Sequence, residues 1–187
     1  MSFSRILYTL LIIVICGAGY YLLEKSNTES VQIAPDQELP MFTGRGLENI
    51  NYNEKGVRSY RVISTSLEHY ASSGDTIFDQ PELTIFKLGS EEEWKITAKR
   101  GVLTEEQVLT LYDDVLARNL LPESAFDTMS TDKLFINLNN RDFWADQEVL
   151  LVGPQFETEG NAMKGNFGTN DATLYNQVQG RYENLTP

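Results

Sequence analysis

Much of the chain alternates apolar and polar residues with a period of two. Trp94, Ile96 and Ala98 alternate with lysine and threonine. This period is typical of strands that have one buried and one solvated face. Two further series repeat the alternation: Leu134, Ile136 and Leu138, and Val178, Gly180 and Tyr182. After residue 24 no stretch has a helical period of 3.6, so the sequence predicts an all-β, antiparallel domain.

Turn-forming residues separate these strands and indicate a chain of hairpins. The turn signals are residues 53–56, 72–75, 89–90, 139–140 and 159–161. A short segment of similar pattern recurs roughly every 35 residues, centred on Ser64, Ala98, Thr131 and Thr169. Such regularity predicts stacked β-units whose first and last strands leave edges open to strand addition.

One uncharged apolar segment, residues 6–23, precedes the strand region. As a helix it would be roughly 27 Å long, near the thickness of a bilayer core. Arg5 lies before it, so the positive-inside rule places residues 1–5 in the cytoplasm and the rest across the membrane. The alternative is a signal peptide cleaved near residues 17–19. The aromatic pair Tyr20 and Tyr21, at the expected membrane interface, favours an uncleaved anchor.

The segment after the expected anchor, residues 24–46, is polar, contains Pro35 and Pro40, and has no period. It is typical of a flexible tether. We therefore expect the folded domain to comprise residues 47–187. That length is enough for one domain with a sizeable core.

The net charge and the cysteine content limit which partners the chain can bind and whether it can form a disulfide. The formal net charge is −12, which argues against nucleic acid as a partner. It does not exclude the acyl part of an anionic lipid, because that contact depends on apolar area. Cys16 is the single cysteine, so no disulfide can form within the chain.

Residues that could carry catalysis are sparse. His69 is the single histidine, and no G-x-S-x-G motif accompanies it. Acidic residues cluster at 91–93, 105–106 and 113–114, near expected turns and edges. They are expected to be solvated charges rather than glycosidase carboxylates or a calcium site. The sequence therefore predicts no enzyme activity, no metal site and no cofactor.

Aromatic residues are spread through the strand region, with small residues on the same apolar faces. Ala98, Ala117, Gly165 and Gly180 are examples of the small residues. Most of the aromatic side chains must form the core. A pair of β-layers lined in this way could also stay slightly open and accept acyl chains.

Several motifs resemble the LptC family, the bitopic, periplasm-facing component of bacterial lipopolysaccharide export. The resemblance runs from the apolar segment to about residue 183. The matching stretches are residues 52–56, 59–61, 78–86, 94–99, 103–104, 111–112, 131–132, 136–138, 160 and 163–166. The Gln80-Pro81 pair and the Met163-Lys164-Gly165-Asn166 run are the most specific.

This resemblance implies a membrane anchor followed by a β-jellyroll with a groove for lipopolysaccharide. It implies that an ATP-driven inner-membrane transporter delivers the lipid, and that a soluble periplasmic protein of similar fold receives it. The transporter would meet the anchor helix and the N-terminal jellyroll edge. The bridge protein would meet the C-terminal edge.

The resemblance also implies roles for individual residues. Groove positions fall on Leu47, Phe78, Ala172 and Tyr182, with Leu47 at the poorly matched tether boundary. Tyr60 and Gly153 are assigned to partner contacts. Pro154, which follows Gly153, departs from the family pattern at that turn.

The C-terminal region adds a prediction of its own. Residues 172–183 have the pattern of one late strand, with Gln179 and Arg181 on its outward polar face. We expect a partner to add a strand along this edge. Two other function classes stay open: an assembly scaffold that binds partners without lipid, and a tethered glycan hydrolase that uses an acidic pair.

Overall fold

A computed structural model describes residues 39–122 and 126–182, and it contains fourteen strands in one folded sheet. The expected anchor at 6–23, the cytoplasmic residues 1–5 and most of the expected tether lie outside these residues. Within them, no helix is long and apolar enough to span a membrane. The strands are β1 Phe42–Tyr52, β2 Arg58–His69, β3 Thr76–Asp79, β4 Glu82–Lys87, β5 Glu91–Thr97, β6 Arg100–Leu103, β7 Val108–Asn119, β8 Thr128–Asn137, β9 Asp142–Ala145, β10 Val149–Val152, β11 Phe156–Gly160, β12 Ala162–Asn166, β13 Asp171–Tyr175 and β14 Gln179–Tyr182.

The sheet folds into two layers because each long segment of chain contributes to both. The first half of β2 pairs with β4, where Tyr60 opposes Ile85. Its second half pairs with β3, where Leu67 opposes Phe78. The same division occurs in β7, which pairs with β6 through its first half and with β5 through its second.

The pairings place each strand in a front or a back layer. The front layer contains the start of β1, the end of β2, β3, β6, the start of β7, the end of β8, β9, β12 and β13. The back layer contains the complementary halves of β1, β2, β7 and β8 together with β4, β5, β10, β11 and β14.

The layers meet along one side at a row of chain bends that we call the bend edge. Polar residues with positive φ make several of the bends, including Gln80 (49°), Asp113 (62°) and Asp114 (51°). Backbone hydrogen bonds connect successive bends, as between the Lys99 amide and the Asp113 carbonyl. The bend edge comprises Gly46, Thr65, Gln80, Pro81, Ala98, Lys99, Asp113, Asp114, Asp132, residues 146–148, Asn161, Asn176 and Gln177.

The opposite side of the sandwich consists of the turns between segments, and we call it the hairpin edge. The back-layer turns are residues 53–57, 88–90 and 153–155 and the described parts of the β7–β8 connection, 120–122 and 126–127, and the front-layer turns are 70–75, 104–107, 138–141 and 167–170. None of the described residues on this side carries the chain from one layer to the other. Contact between the layers on this side therefore depends on side chains that reach across.

The core lies between the layers, where the alternating apolar residues meet. Ile96, Leu134 and Ile136 are fully buried, which confirms the alternation seen in the sequence. Facing residues of neighbouring strands continue these rows, as with Leu111 opposite Leu134. The predicted all-β antiparallel class is correct for the described residues.

The N-terminal boundary of the domain differs from the sequence prediction. β1 begins at Phe42, so residues 42–46 belong to a strand rather than to the expected tether. The Met41 amide donates to the His69 carbonyl, and the Phe42 ring stacks on the His69 ring at 4.9 Å. These contacts extend the pairing of β1 along the whole of β2. Residues 42–46 thus form a strand although apolar and polar residues do not alternate in them.

Two further predictions need correction. Residues 172–183 are not one strand: β13 lies in the front layer and β14 in the back layer, because Asn176 and Gln177 bend the chain with positive φ. The repeat centres Ser64, Ala98 and Thr131 lie at or beside bends. Thr169 instead lies in the hairpin between β12 and β13, so it does not continue that repeat.

Candidate lipid groove and open strand edges

Three of the predicted groove residues are buried or partly buried on the inner faces of the layers. Phe78 is buried in β3, opposite Leu67 and Gly101. Leu47 and Ala172 are partly buried and pack against the core from the first and last segments. The structure therefore distributes these residues along the length of the sandwich rather than gathering them in one pocket.

Aromatic side chains fill the interior beside the hairpin edge. Trp94 contacts Phe126 and Phe167, with ring centroids 5.2 and 5.1 Å apart. Phe167 in turn contacts Phe143 at 4.3 Å. We call these four residues the aromatic cluster. The small residues suggested a slightly open interior, but here the space between the layers is packed.

A cleft of about 630 Å³ opens at the hairpin edge, near the N-terminal end. Its back-layer wall includes Tyr52 and Tyr60, and its front-layer wall includes Gln107 and Leu138. The Tyr60 hydroxyl lies 3.5 Å from Gln107 Oε1, so this pair joins the layers. Burial raises the pKa of Tyr60.

Tyr60 was assigned to a partner contact, and its position fits the cleft better. Its side chain is 9% exposed and points between the layers. It lies on β2, which β1 separates from the N-terminal edge. A protein docking along that edge would meet β1 first.

The fourth groove residue, Tyr182, is 73% exposed. It opposes Phe156 in the register, and their ring centroids are 6.4 Å apart. Phe156 packs against the core, so Tyr182 is on the inner face as the alternation predicts. It is exposed because β14 ends the back layer within the described residues.

Gly153 lies in the turn between β10 and β11, and its amide donates to the Phe156 carbonyl at 2.9 Å. The family resemblance assigns this glycine to a partner contact. Its φ is not in the left-handed region. A Cβ at this position would instead overlap the Phe156 ring. The glycine therefore makes room for an aromatic side chain.

The N-terminal edge is β1, which pairs with β2 and with no other described strand. Large apolar side chains are exposed along and before it, among them Met41 (71%), Phe42 (52%) and Tyr52 (55%). An unpaired backbone flanked by exposed apolar groups suits strand addition combined with side-chain burial.

The C-terminal edge is double. β13 pairs only with β12, and β14 pairs only with β11, among the strands described. Gln179 and Arg181 are exposed on the outer face of β14, opposite Glu159 and Glu157. The predicted outward orientation of these two residues is correct. Their role in partner binding stays a prediction.

Sequence reasoning missed two residues at the hairpin edge, Glu93 and Arg141. Glu93 was expected to be a solvated charge, yet it is 2% exposed. Trp94 opposes Ile85 and Glu92 opposes Phe86, so Glu93 is the extra residue of a β-bulge. A run of three glutamates carries no signal that one of them turns inward, because the bulge depends on pairing with β4.

The remaining candidate chemistry has structural roles. His69 stacks on Phe42, and its Nδ1 lies 3.0 Å from the Thr76 hydroxyl. Asp114 pairs with Lys99 at 2.6 Å on the bend edge. The described residues contain no group of three or more histidine, cysteine or acidic side chains placed to hold a metal ion.

Comparison with known proteins places this architecture in a family. The family model described as "Lipopolysaccharide-assembly, LptC-related" matches residues 9–183. The lipopolysaccharide export system protein LptC of Escherichia coli K12 is 30% identical over 185 residues, covering 98% of this chain and 96% of that protein. LptC of Haemophilus influenzae is 26% identical, covering 92% and 91%.

A solved structure supports the fold independently of sequence. LptH of Pseudomonas aeruginosa, the LptA-homologous periplasmic component of a lipopolysaccharide transport device, superposes with a TM-score of 0.52. The identity is 10%, with 67% of this chain and 95% of that chain covered, so this match concerns the fold alone. The folded sheet is the β-jellyroll that the family resemblance implied, and the chain belongs to the LptC-related lipopolysaccharide-assembly family.

Proposed function

We propose that this protein carries lipopolysaccharide by enclosing its acyl chains between the two layers. It would receive the lipid from an ATP-binding-cassette transporter in the inner membrane and pass it to a periplasmic jellyroll protein. Residues 6–23 would anchor it in the inner membrane, with the N-terminus cytoplasmic and the β-domain periplasmic. In this role the protein is a conduit and not an enzyme.

The observation that carries the proposal is the pair of apolar inner faces, reached through a cleft at the hairpin edge. Phe78 and Leu67 lie on the front inner face, and Leu83 and Ile96 lie on the back one. Burying acyl chains against such faces yields about 0.8 kcal/mol per CH₂. The anionic sugar and phosphate groups can remain in water outside the edge, which is compatible with a net charge of −12.

The open edges support transfer between proteins. Every long segment pairs with the next one in both layers, so a partner's strand can continue the same pattern at either end. The exposed apolar residues of β1 suit a transporter domain, and the edges of β13 and β14, unpaired among the described strands, suit a partner that docks mainly through its backbone. Joined jellyrolls would form one continuous apolar path.

Photo-crosslinking within one strand tests the lipid part of the proposal. A photo-crosslinking amino acid is placed at Phe78, on the inner face of β3, or at Ile77, its neighbour on the outer face. In cells making lipopolysaccharide, the full-length protein should crosslink to lipid from position 78 and not from position 77. Equal yields from both positions, or none from position 78, would contradict the conduit.

A scaffold that carries no lipid is the second candidate, and the packed interior favours it. The aromatic cluster leaves no continuous channel between the described strands. The scaffold predicts normal co-purification of transporter and bridge proteins with no lipid crosslink at position 78. The conduit predicts normal co-purification together with a lipid crosslink at position 78.

A proline substitution tests the C-terminal edge. Gln179→Pro in β14 removes a backbone donor from the edge strand, whereas Gln179→Ala keeps it. The proline variant should lose the bridge protein and keep the transporter. The alanine variant should retain both, because the side chain points outward. Loss of the bridge protein in the alanine variant would assign the contact to side chains instead.

A further inference from the structure

Polar side chains tie the two layers together in the middle of the hairpin edge. Arg141, in a front-layer turn, donates from Nη2 to the Phe86 carbonyl of the back layer at 3.1 Å. Its Nη1 lies 4.0 Å from Glu93 Oε2. Asn170, in the next front-layer turn, donates to Glu93 Oε1 at 2.9 Å and accepts from Trp94 Nε1 at 2.8 Å. We call Glu93, Arg141 and Asn170 the clasp.

The clasp encloses a carboxylate that has almost no access to water. Glu93 is 2% exposed, and burying a charge is costly unless partners replace the lost hydration. The β-bulge directs both Glu93 and Trp94 toward the front layer. Both partners of the carboxylate lie in that layer, so separating the layers would remove them and admit water to the charge.

The backbone at the two front-layer residues is unusual for their type. Arg141 has φ of 66° and Asn170 has φ of 56°. Asparagine tolerates this left-handed region, whereas arginine adopts it rarely. A glycine would fit either turn with less strain. An arginine at position 141 is therefore better explained by its contacts with the back layer than by the turn itself.

The clasp lies at a boundary inside the sandwich. On one side is the cleft of about 630 Å³, and a small apolar crevice lined by Tyr60, Ile85, Leu138 and Arg141 lies at the same edge. On the other side is the aromatic cluster, which Trp94 joins directly to Asn170. Arg141 therefore lies between the cleft and the C-terminal half of the interior.

We propose that the clasp is a gate that divides a loading cleft from the C-terminal half of the groove and opens at the hairpin edge. This inference rests on the proposed lipid-carrying function. The ligand feature that would open it is an anionic phosphate of the lipid headgroup, held outside the edge. In the closed state the Arg141 guanidinium contacts the Phe86 carbonyl and lies 4.0 Å from the Glu93 carboxylate. A phosphate would instead offer this guanidinium a charged partner with bidentate geometry. The lipid would then open the gate because its phosphate binds Arg141 more tightly in the open state than in the closed state.

Hydrogen exchange tests the opening without any lipid. The Phe167 amide bonds the Arg141 carbonyl, and the Leu120 amide bonds the Glu93 carbonyl, so both report on the clasp. In full-length Arg141→Gly and Asn170→Gly, these amides should exchange about 10-fold faster, as expected for loss of a hydrogen bond to a charged group. The Lys99 amide, on the bend edge, should be unchanged.

Leu88→Gly is the matched control for these variants. Leu88 also lies on the hairpin edge with positive φ (51°), but its side chain is 87% exposed. Glycine there relieves the same kind of backbone strain without touching the clasp, and exchange should be unchanged or slower. If Arg141→Gly and Asn170→Gly behave like Leu88→Gly, the gate is refuted and Arg141 is only a turn residue.

Photo-crosslinking at two depths then connects the gate to lipid. Phe78 reports on the N-terminal half, and Leu174, which opposes Met163 on the inner face of β13, reports on the C-terminal half. In lipopolysaccharide-producing cells, Arg141→Gly should raise the ratio of lipid crosslinking at position 174 to that at position 78 by at least ~3-fold. This is smaller than the roughly 10-fold increase in opening that is expected from hydrogen exchange. An unchanged ratio with normal crosslinking at 78 refutes the gate alone. No crosslinking at 78 in the wild type refutes the lipid function.

Discussion

The bend edge and the hairpin edge connect the same two layers by different means. At the bend edge the chain itself crosses repeatedly, and backbone hydrogen bonds connect one crossing to the next. At the hairpin edge no segment that the structure describes crosses, and side chains such as Tyr60, Arg141 and Asn170 reach over. Opening the bend edge would break the strand pairing, whereas opening the hairpin edge costs a few polar contacts and some apolar burial.

This difference indicates how a packed sandwich could admit acyl chains. The layers can swing apart about the bend edge while the strands within each layer stay paired, and only backbone bonds of the turns beside the clasp, such as that of the Phe167 amide, loosen. The cost is set by the aromatic cluster and the clasp, which are both near the hairpin edge. Variants that alter one edge at a time separate the contributions of the two edges.

The largest effect is expected in the aromatic cluster. Phe143→Ala removes a ring that is 2% exposed and packs on Phe167, so it should lower the free energy of unfolding by about 3–5 kcal/mol. Phe135→Ala is the control. Its ring lies on the outer face, stacked on Trp144, and its loss should cost about 1 kcal/mol. Urea unfolding of the full-length protein in detergent measures both, and equal losses would show that the interior is not closed by this cluster.

A smaller effect is expected at the bend edge. The Thr131 hydroxyl, beside the bend of β8, donates at 2.8 Å to the Glu148 carbonyl in the bend between β9 and β10. Thr131→Val keeps the shape and removes this bond, so stability should fall by about 1 kcal/mol. Thr128→Val, on the outward face of the same strand, should change the unfolding midpoint very little. Faster hydrogen exchange at the hairpin edge in Thr131→Val would contradict the independence of the two edges.

The smallest effect is a pH dependence from the cleft. Burial raises the pKa of Tyr60 in the folded state above its ordinary value near 10. The stability associated with the neutral phenol is therefore complete below pH ~10 and is lost as the pH rises through the folded pKa. Unfolding free energies at pH 8 and pH 11 should differ less in Tyr60→Phe than in the wild type. An equal loss in both would place the ionising phenol in water.

The inner faces of this fold could be predicted from the sequence, because alternation records burial directly. Leu134 and Ile136 alternate with outward lysine and phenylalanine, and the structure buries the first pair. Phe78 was placed on the inner face through family resemblance, and it lies there. Which face of a strand is buried depends on the apolar and polar pattern of that strand alone, so it can be predicted from the sequence.

The bends and the clasp could not be predicted, because both depend on pairing between distant segments. Asp113 and Asp114 resemble any exposed acidic pair, yet their positive φ turns β7 from one layer to the other. Glu93 resembles its two solvated neighbours until β4 imposes a bulge. Arg141 follows two asparagines in an ordinary turn signal, and its role becomes visible only when Phe86, 55 residues away, is placed beside it.

Distance measurement between spin labels tests the central claim that the sandwich opens at one edge to hold lipid. In the full-length protein with Cys16→Ser, one label pair replaces Lys55 and Asn139 across the hairpin edge, and a control pair replaces Lys95 and Arg100 across the bend edge. In lipid nanodiscs, added lipopolysaccharide should lengthen the first distance by roughly 5 Å, half the usual spacing between packed sheets. The second distance should stay constant. Lipid binding with both distances constant, or with both lengthened, would contradict this account.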